Sequence, residues 1–287
     1  MKRVVVIANR LNVLQCLEDL GGIEIIKLYV LEGSLLHKQI NTIHIGKRVA
    51  VDVFTMKEKV RLLDELRRLD FDVLISNGCP FILPVKELKR DGQLFINIHP
   101  TLLPDLKGKT PLNGVFMTHR KYIGATMHYI DDGIDTGNII AQEKVKLTPD
   151  IDQGLVYNIS FDLEKAVFDK GWKLLQKHKF LFSGTRQKGT GTYFNRTDDN
   201  QTANVEVDST DTILDKIRSF NIRGQGTRLL TRKYSYLVYA AERIVNPYLL
   251  NKYKTVTPED VALKYDNKLM IKTLDGMIKL IDYEEVG

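Results

Sequence analysis

The tract Asn97-Ile98-His99-Pro100-Thr101-Leu102-Leu103-Pro104 sets a carboxamide and an imidazole two positions apart. On a strand such residues leave the same face, while Ile96 and Ile98 turn the other way. Pro100 stops strand pairing just beyond. A polar face at the end of a buried strand is unfavourable unless something binds there. Further along, Asp135-Thr136-Gly137 follows Gly133, so a glycine-flanked loop can bring the Asp135 carboxylate to an imidazole. An amide donor, an imidazole and a carboxylate together can polarise a carbonyl, accept a proton and orient an attacking group. Asn97, His99 and Asp135 are therefore the candidate catalytic residues. His37, His44, His119 and His178 are read as satisfied surface residues. His128 is read the same way, although it sits in a second motif piece, Gly124-Ala125-Thr126-Met127-His128, that runs on to Gln142.

Elements must hold these groups in place. Residues 3–8 (RVVVIA) and 23–30 (IEIIKLYV) are short β-branched runs and read as buried strands. Between them Leu11, Leu14, Leu17 and Leu20 recur at helical spacing until Gly21-Gly22. Residues 31–46 read as a short helix and a loop. Strands are predicted at Val49–Phe54, Phe71–Ser76 and Leu94–Ile98, with a helix carrying Val60, Leu62, Leu63, Leu66 and Leu69. Strands alternating with helices imply a mostly parallel sheet covered on both faces. Ligands bind such sheets beyond the carboxyl ends of the strands, which points to the loops after Ala8, Ser76 and Ile98. No GxGxxG follows the first strand. Ala8-Asn9-Arg10 stands there instead, which argues against a dinucleotide. Residues 121–145 read as two strands around DDGIDTG. Residues 152–178 read as a long helix with Leu155, Ile159, Leu163, Val167 and Leu174 on its inner stripe.

Composition shifts near Ser183 to a Gly/Thr/Asn-rich stretch, read as a linker. This divides the chain into a catalytic domain, 1–184, and a small C-terminal α+β domain, 185–287. The second domain should hold a helix over Asp211–Phe220, a strand over Tyr234–Ala240, and a hairpin turning at Asp275-Gly276, the dipeptide suited to a type I′ turn. The expected fold is α/β: a Rossmann-like domain with a mostly parallel sheet, plus a small mainly β, OB-like tail trimmed to about four strands.

The bulk numbers set limits. The 287 residues carry 42 Lys and Arg against 36 Asp and Glu, a net charge of +6, which suits a mildly basic surface or an anionic partner, whether nucleotide, folate or nucleic acid. There is no basic run interleaved with aromatics of the kind single-stranded nucleic-acid binders use, so no nucleic-acid partner is expected. Cys16 and Cys79 form no CxxC and no zinc spacing, so no metal is expected. The apolar N-terminal run is too short for a signal peptide or membrane span, and a cytoplasmic location without membrane association is expected.

The combination Asn97-x-His99-Pro100-Thr101-Leu102-Leu103-Pro104, Lys107-Gly108, Gly124-x-Thr126-x-His128 and Asp135-x-Gly137 resembles the folate-dependent formyltransferases. Thr101 stands where Ser is usual and Lys107 where Arg is common. Both keep the chemical type. The resemblance is strong over about residues 70–150 and weak after 185. It implies N10-formyltetrahydrofolate as the co-substrate and formyl donor. It also implies Asn97 as holder of the oxyanion, His99 as proton acceptor and Asp135 as its orienting partner. The pterin is then expected against Asn77, Gly78, Cys79, Pro80, Phe81, Ile82 and Leu83, and against Met127, Tyr129, Ile130, Asp131 and Asp132, largely through backbone groups. Simple turn and core packing explains Cys79-Pro80-Phe81 equally well.

The tail bears on the acceptor amine. Ile217–Gly224 and Tyr193, Arg196 resemble segments of the sugar N-formyltransferases, which implies a nucleotide-linked amino sugar, with dTDP the favoured carrier, used for bacterial surface polysaccharide such as lipopolysaccharide O-antigen. Arg10, Thr101, Lys107, Tyr193, Arg196, Arg218, Asn221 and Arg223 are the candidate substrate contacts. Arg218 or Arg223 can pair with pyrophosphate oxygens, and Tyr193 can stack on a base. Ordinary surface arginines and a Tyr packing the linker would look the same. The alternatives are a methionyl-tRNA formyltransferase, a formyltetrahydrofolate hydrolase, and a non-catalytic binder. The resemblance further implies a homodimer.

Overall fold

The computed structural model describes residues 1–40, 49–257 and 260–286. His44 and the end of the predicted 31–46 loop lie outside them. The first sheet gathers β1 (Lys2–Ala8), β2 (Ile23–Leu31), β3 (Ala50–Phe54), β4 (Val73–Asn77), β5 (Leu94–His99), β6 (Tyr122–Tyr129) and β7 (Ile139–Lys146) in the order β3-β2-β1-β4-β5-β6-β7. β3 to β5 pair in parallel, and β6 and β7 are antiparallel additions. It is the expected Rossmann-like, mostly parallel sheet. The helices that accompany it are α1 (Asn12–Asp19), α2 (Leu35–Gln39), α3 (Lys59–Arg68), α4 (Val85–Leu88) and, after α5 (Gly114–Met117) of the second unit, α6 (Gln153–Lys177).

Both faces of the sheet are buried, which is why β1 reads as an unbroken apolar run. Val4, Val6 and Ala8 pack with Val13, Leu14 and Leu17 of α1 and with Val167, Phe168 and Trp172 of α6. Val5 and Ile7 face the other way, to Leu62, Leu63 and Leu66 of α3. The fully buried line of α6 is only partly the predicted one: Val167 lies on it, and Leu163 and Leu174 pack at its margin. It runs through Val156, Ser160, Glu164, Val167, Phe168, Trp172 and Leu175, while Leu155 is 44% exposed. The apolar stripe misplaced it because two polar residues, Ser160 and Glu164, occupy core positions. Glu164 does so because Arg10 pairs with it.

The second sheet contains β8 (Thr202–Asn204), β9 (Thr227–Leu230), β10 (Ser235–Arg243), β11 (Val261–Tyr265), β12 (Lys268–Lys272) and β13 (Met277–Val286), in the order β11-β12-β13-β10-β9-β8. Around it lie α7 (Asp198–Gln201), α8 (Thr210–Ser219) and α9 (Pro247–Lys252). Ile213 and Ile217 of α8 close a core with Leu229, Tyr236, Val238, Leu269, Ile271, Ile278 and Leu280. The tail thus holds two more strands than the four expected, β8 and β11 being short and weakly patterned. The Asp275-Gly276 hairpin forms, but neither residue adopts a positive φ, so its turn is not type I′. Asp275 instead accepts hydrogen bonds from the backbone N and the Oγ1 of Thr210 at 2.8 and 2.6 Å. The left-handed pair is Asp266-Asn267, φ 45° and 54°, between β11 and β12.

The chain separates into two compact units: Met1–Lys109 with Tyr122–Lys146 and Asn158–Tyr193, and Thr110–Lys121 with Leu147–Tyr157 and Phe194–Gly287. This division is interleaved, unlike a single cut at residue 185. The stretch read as a linker belongs to the first unit as far as Tyr193: Thr185 bridges Ile139, and Tyr193 bridges Lys107.

Candidate active site

β5 ends with Asn97 and His99 on the face of Phe95, as alternation requires. β6 pairs antiparallel with it, so that His128 lies opposite Asn97 and Thr126 opposite His99. β4 runs parallel on the other side and sets Ser76 beside Asn97. The β6–β7 loop then carries Asp135 over the strand ends. Its backbone is left-handed, φ 54°, a conformation Asp tolerates better than most residues. Gly137 is required two residues later, because a Cβ there would lie 1.9 Å from the Tyr129 carbonyl oxygen. Gln187, from the stretch read as a linker, clamps the loop by donating from Nε2 to the carbonyls of Asp135 and Gly137, each at 2.8 Å.

The three predicted catalytic groups converge. Ser76 Oγ donates to Asn97 Oδ1 at 2.8 Å. Asn97 Nδ2 donates to His128 Nε2 at 3.1 Å and to Asp135 Oδ1 at 3.3 Å. The carboxamide orientation is therefore fixed at every polar atom. Asp135 Oδ2 accepts from the Gly108 backbone N at 2.9 Å and lies 3.6 Å from His99 Nδ1. His99 Nε2 donates to the Leu106 carbonyl at 2.8 Å. A carbonyl only accepts, so the neutral ring carries its proton on Nε2 and presents a bare Nδ1 on the side of Asp135. By the same logic His128, with Nδ1 2.8 Å from the Tyr129 carbonyl, keeps Nε2 free to accept from Asn97. His128 is thus a member of the cluster and not a satisfied surface residue, since its side chain is only 2% exposed.

Burial pushes the His99 proton affinity down. Asp135 and the Leu106 carbonyl pull it back up, and His128 and Arg10 add to the depression. The net direction is downward, so His99 is an uncharged base at neutral pH. Burial works against the Asp135 charge, yet His99, His128 and the Gly108 N–H hold that carboxyl well below the usual carboxylate range. Neutral imidazole and ionised carboxylate side by side can take up one proton and stabilise the resulting imidazolium.

Other predicted residues have varied settings. Thr101 is buried and donates from Oγ1 to the carbonyls of Asp105 and Leu106, at 3.1 and 3.0 Å. Lys107 is buried, with Nζ 3.1 Å from the Thr190 carbonyl and 5.2 Å from the Tyr193 ring centroid. Arg10 pairs with Glu164 through Nε and Nη2. In the second unit, Arg218 donates to the Ile151 carbonyl at 3.0 Å and lies over Phe116. Asn221 Oδ1 accepts from the Gln153 backbone N, Arg223 pairs with Asp282 at 2.7 Å, and Arg196 is exposed.

In the loop after β4, Asn77 and Leu83 are buried and Ile82 is 54% exposed. Gly78 has φ +90°. Cys79 donates from Sγ to the Phe81 carbonyl, and burial pushes its thiol up to about 12. Pro80 is part-buried, and Phe81 meets Phe54 edge-on. On the other segment Met127 and Tyr129 belong to β6: Met127 is a fully buried core residue and not an exposed pterin contact, Tyr129 donates to the Phe182 carbonyl, and the backbone N of Ile130, just past the strand, donates to the Phe95 carbonyl. Asp131 accepts from Gly133 and Thr136, and Asp132 pairs with Lys86. Sequence reasoning passed over Ser76, Gln187 and Glu164. Only Ser76 had a signal, as the polar residue ending a strand next to β5. Among the described residues no cluster of His, Cys, Asp and Glu could hold a metal ion, and no helix is long and apolar enough to cross a membrane.

An open α/β sheet with an amide, an imidazole and a carboxylate at the carboxyl end of a central strand has the make-up of an acyl-transfer centre. Residues 33–170 match the family model described as formyl transferase. A curated relative, methionyl-tRNA formyltransferase of Syntrophus aciditrophicus, is 29% identical over 117 residues, 41% of this chain and 38% of the relative. The chain spans less than half the length of the first curated relatives it matches. The fold is similar along almost the whole chain to an N-formyltransferase from Helicobacter canadensis, solved with folinic acid and dTDP-3-aminofucose. The TM-score is 0.70 at 19% identity, covering 99% of this chain and 100% of that one. A 4-N formyltransferase from Francisella tularensis aligns with a TM-score of 0.63 at 20% identity, over 80% of this chain and 93% of that one.

Proposed function

We propose that this chain transfers the formyl group of N10-formyltetrahydrofolate to the amino group of a nucleotide-linked amino sugar, with dTDP as the carrier. The observation that carries the reading is the convergence of Asn97, His99 and Asp135 at the end of β5. The donor is a co-substrate that supplies an activated formyl carbon. The loop Asn77–Leu83 and residues Ile130–Asp132, just beyond β6, are its seat; Met127, enclosed in the core, and Tyr129, on β6, position the second segment. The exposed Ile82 beside buried Leu83 offers an apolar wall for the pterin, and the loop backbone offers polar groups. At the reacting carbon the amine adds, and Asn97 Nδ2 turns a hydrogen from its present partners to the developing oxyanion. A donor in that role is worth ~10²–10³ in rate. His99 Nδ1 takes the proton that the amine sheds, and Asp135 balances the imidazolium. The proton then passes to the departing tetrahydrofolate nitrogen as the old carbon–nitrogen bond breaks.

The likeness to a protein solved with dTDP-3-aminofucose over nearly the whole of both chains supports the sugar acceptor. On this reading Arg196, Arg218, Asn221 and Arg223 serve the nucleotide end. Likeness to the sugar enzymes also favours a cytoplasmic homodimer serving surface polysaccharide. The curated relatives named methionyl-tRNA formyltransferase favour a second reading with formyl-accepting tRNA. Incubating the protein with N10-formyltetrahydrofolate and a panel of nucleotide amino sugars, with initiator tRNA alongside, decides between them. A formyl mass gain on a sugar nucleotide is expected. Gain on tRNA alone would replace the first reading with the second, and no gain on any amine would remove both.

A further inference from the structure

Glu164 is a charged residue in the middle of α6 whose side chain is fully buried. Such a carboxylate costs several kcal/mol of desolvation unless it is paired. Arg10, from the loop after β1, meets it two-pronged: Nε lies 3.0 Å from Oε2, and Nη2 reaches Oε1. The guanidinium also lies 4.8 Å from the ring centroid of Phe161, one turn back on the helix. Its third nitrogen points elsewhere. A Cβ at Gly78 would lie 3.1 Å from Arg10 Nη1, so the guanidinium fills the space that the missing side chain leaves. Next to Arg10, Asn9 donates from Nδ2 to the Gly78 carbonyl, and its backbone N donates to the Asn77 carbonyl at 3.1 Å. Asn77, itself fully buried, has no hydrogen-bond partner for either polar atom of its side chain and joins the group through its backbone carbonyl. The chain β1 loop, buried helix carboxylate and first residues of the β4 loop is thus one contiguous polar clamp.

We propose that the Arg10–Glu164 pair is a positioning device that sets the conformation of the Asn77–Leu83 loop for the reduced folate. The inference rests on the reading that this loop seats the donor. It gives Arg10 a role through Gly78, where the sequence suggested direct substrate contact. Ion pairing explains why α6 tolerates a carboxylate on its innermost line. The Gly78 contact explains why the arginine stands in this loop rather than on the surface.

The test needs no acceptor amine. Binding of 5-formyltetrahydrofolate, a non-reactive probe, is titrated calorimetrically for wild type, E164Q, R10K, R10A and the charge-free pair R10M/E164L. Thermal melts run in parallel. Wild-type binding checks the folate reading by itself: no binding there sinks that reading before the clamp is in question. With wild type binding, R10A is expected to weaken the probe by about tenfold or more, and R10K by less. The double variant separates positioning from mere neutralisation of buried charge. It is expected to recover most of the melting temperature lost in E164Q while keeping the weakened folate affinity. If R10M/E164L binds the probe as wild type does, or R10A does so while folded, the pair only satisfies its own charges and the proposal fails. Should E164Q not fold, R10A and the double variant still decide.

Discussion

Replacing Asp135 by Asn keeps the shape of the loop and removes one charge. The relevant geometry is the 3.6 Å separation between Asp135 Oδ2 and His99 Nδ1. Once His99 holds the amine's proton, unit charges at that distance attract by about 4–5 kcal/mol at an effective dielectric of ~20. At 1.36 kcal/mol per decade, losing half to all of that stabilisation slows the chemical step by ~10²–10³-fold. The pH dependence carries a second signature. Asp135 supports the protonated form of His99, and burial already opposes it. Without the carboxylate the proton leaves His99 at still lower pH, so the acid limb of the rate profile moves to lower pH. Single-turnover formylation of the acceptor found in the panel, quenched and quantified by mass across pH 5–9, measures both. A D135N rate within tenfold of wild type, or an acid limb displaced to higher pH, would refute the assigned division of labour.

His99→Ala is expected to abolish turnover while leaving 5-formyltetrahydrofolate affinity within about threefold, because the ring's polar contacts are to Leu106 and Asp135 and not to the donor loops. Titration and single-turnover mass measurement check the two halves. The buried, uncharged His99 also makes stability fall on acidification. The folded chain binds fewer protons than the unfolded one as pH drops through about 6.5, so that contribution is intact above this pH and declines below it. Melts of wild type and His99→Gln from pH 7.5 to 5.5 should show the steeper decline in wild type. Trp172, fully buried between Phe168 and Phe180 at centroid distances of 5.6 and 5.4 Å, should cost about 3–5 kcal/mol when cut to Ala, read from urea midpoints at unchanged m. Gly171→Ala would press a methyl carbon to within 2.2 Å of the Met127 sulfur, and about 1–3 kcal/mol of destabilisation is expected from the same measurement.

The apolar periodicities exposed the first sheet because β1 and β4 are buried on both faces and leave nearly unbroken apolar runs. The Asn97–His99 face was legible for a related reason: polar residues in alternation at the end of such a run have no structural motive. Three things were not legible. The inner line of α6 was caught at Val167 and missed at Ser160 and Glu164, because a hydrophobicity pattern cannot see that Glu164 brings its own partner from far away in sequence. The role of residues 185–193 was missed because a Gly/Thr-rich stretch looks like a tether even when, as with Gln187, its polar groups are spent on a distant loop. His128 was set aside because a lone histidine on a strand carries no sign of what stands across the ladder.

That ladder has an evolutionary corollary. Asn97 faces His128 and His99 faces Thr126 only in one alignment of β5 against β6. A slip of a single residue would turn both imidazoles toward opposite layers. Selection for activity and selection against misaligned pairing therefore bear on the same few positions. Drift near residues 96–99 and 126–129 should be felt as an abrupt loss of competence, with little room for enzymes that are merely slower.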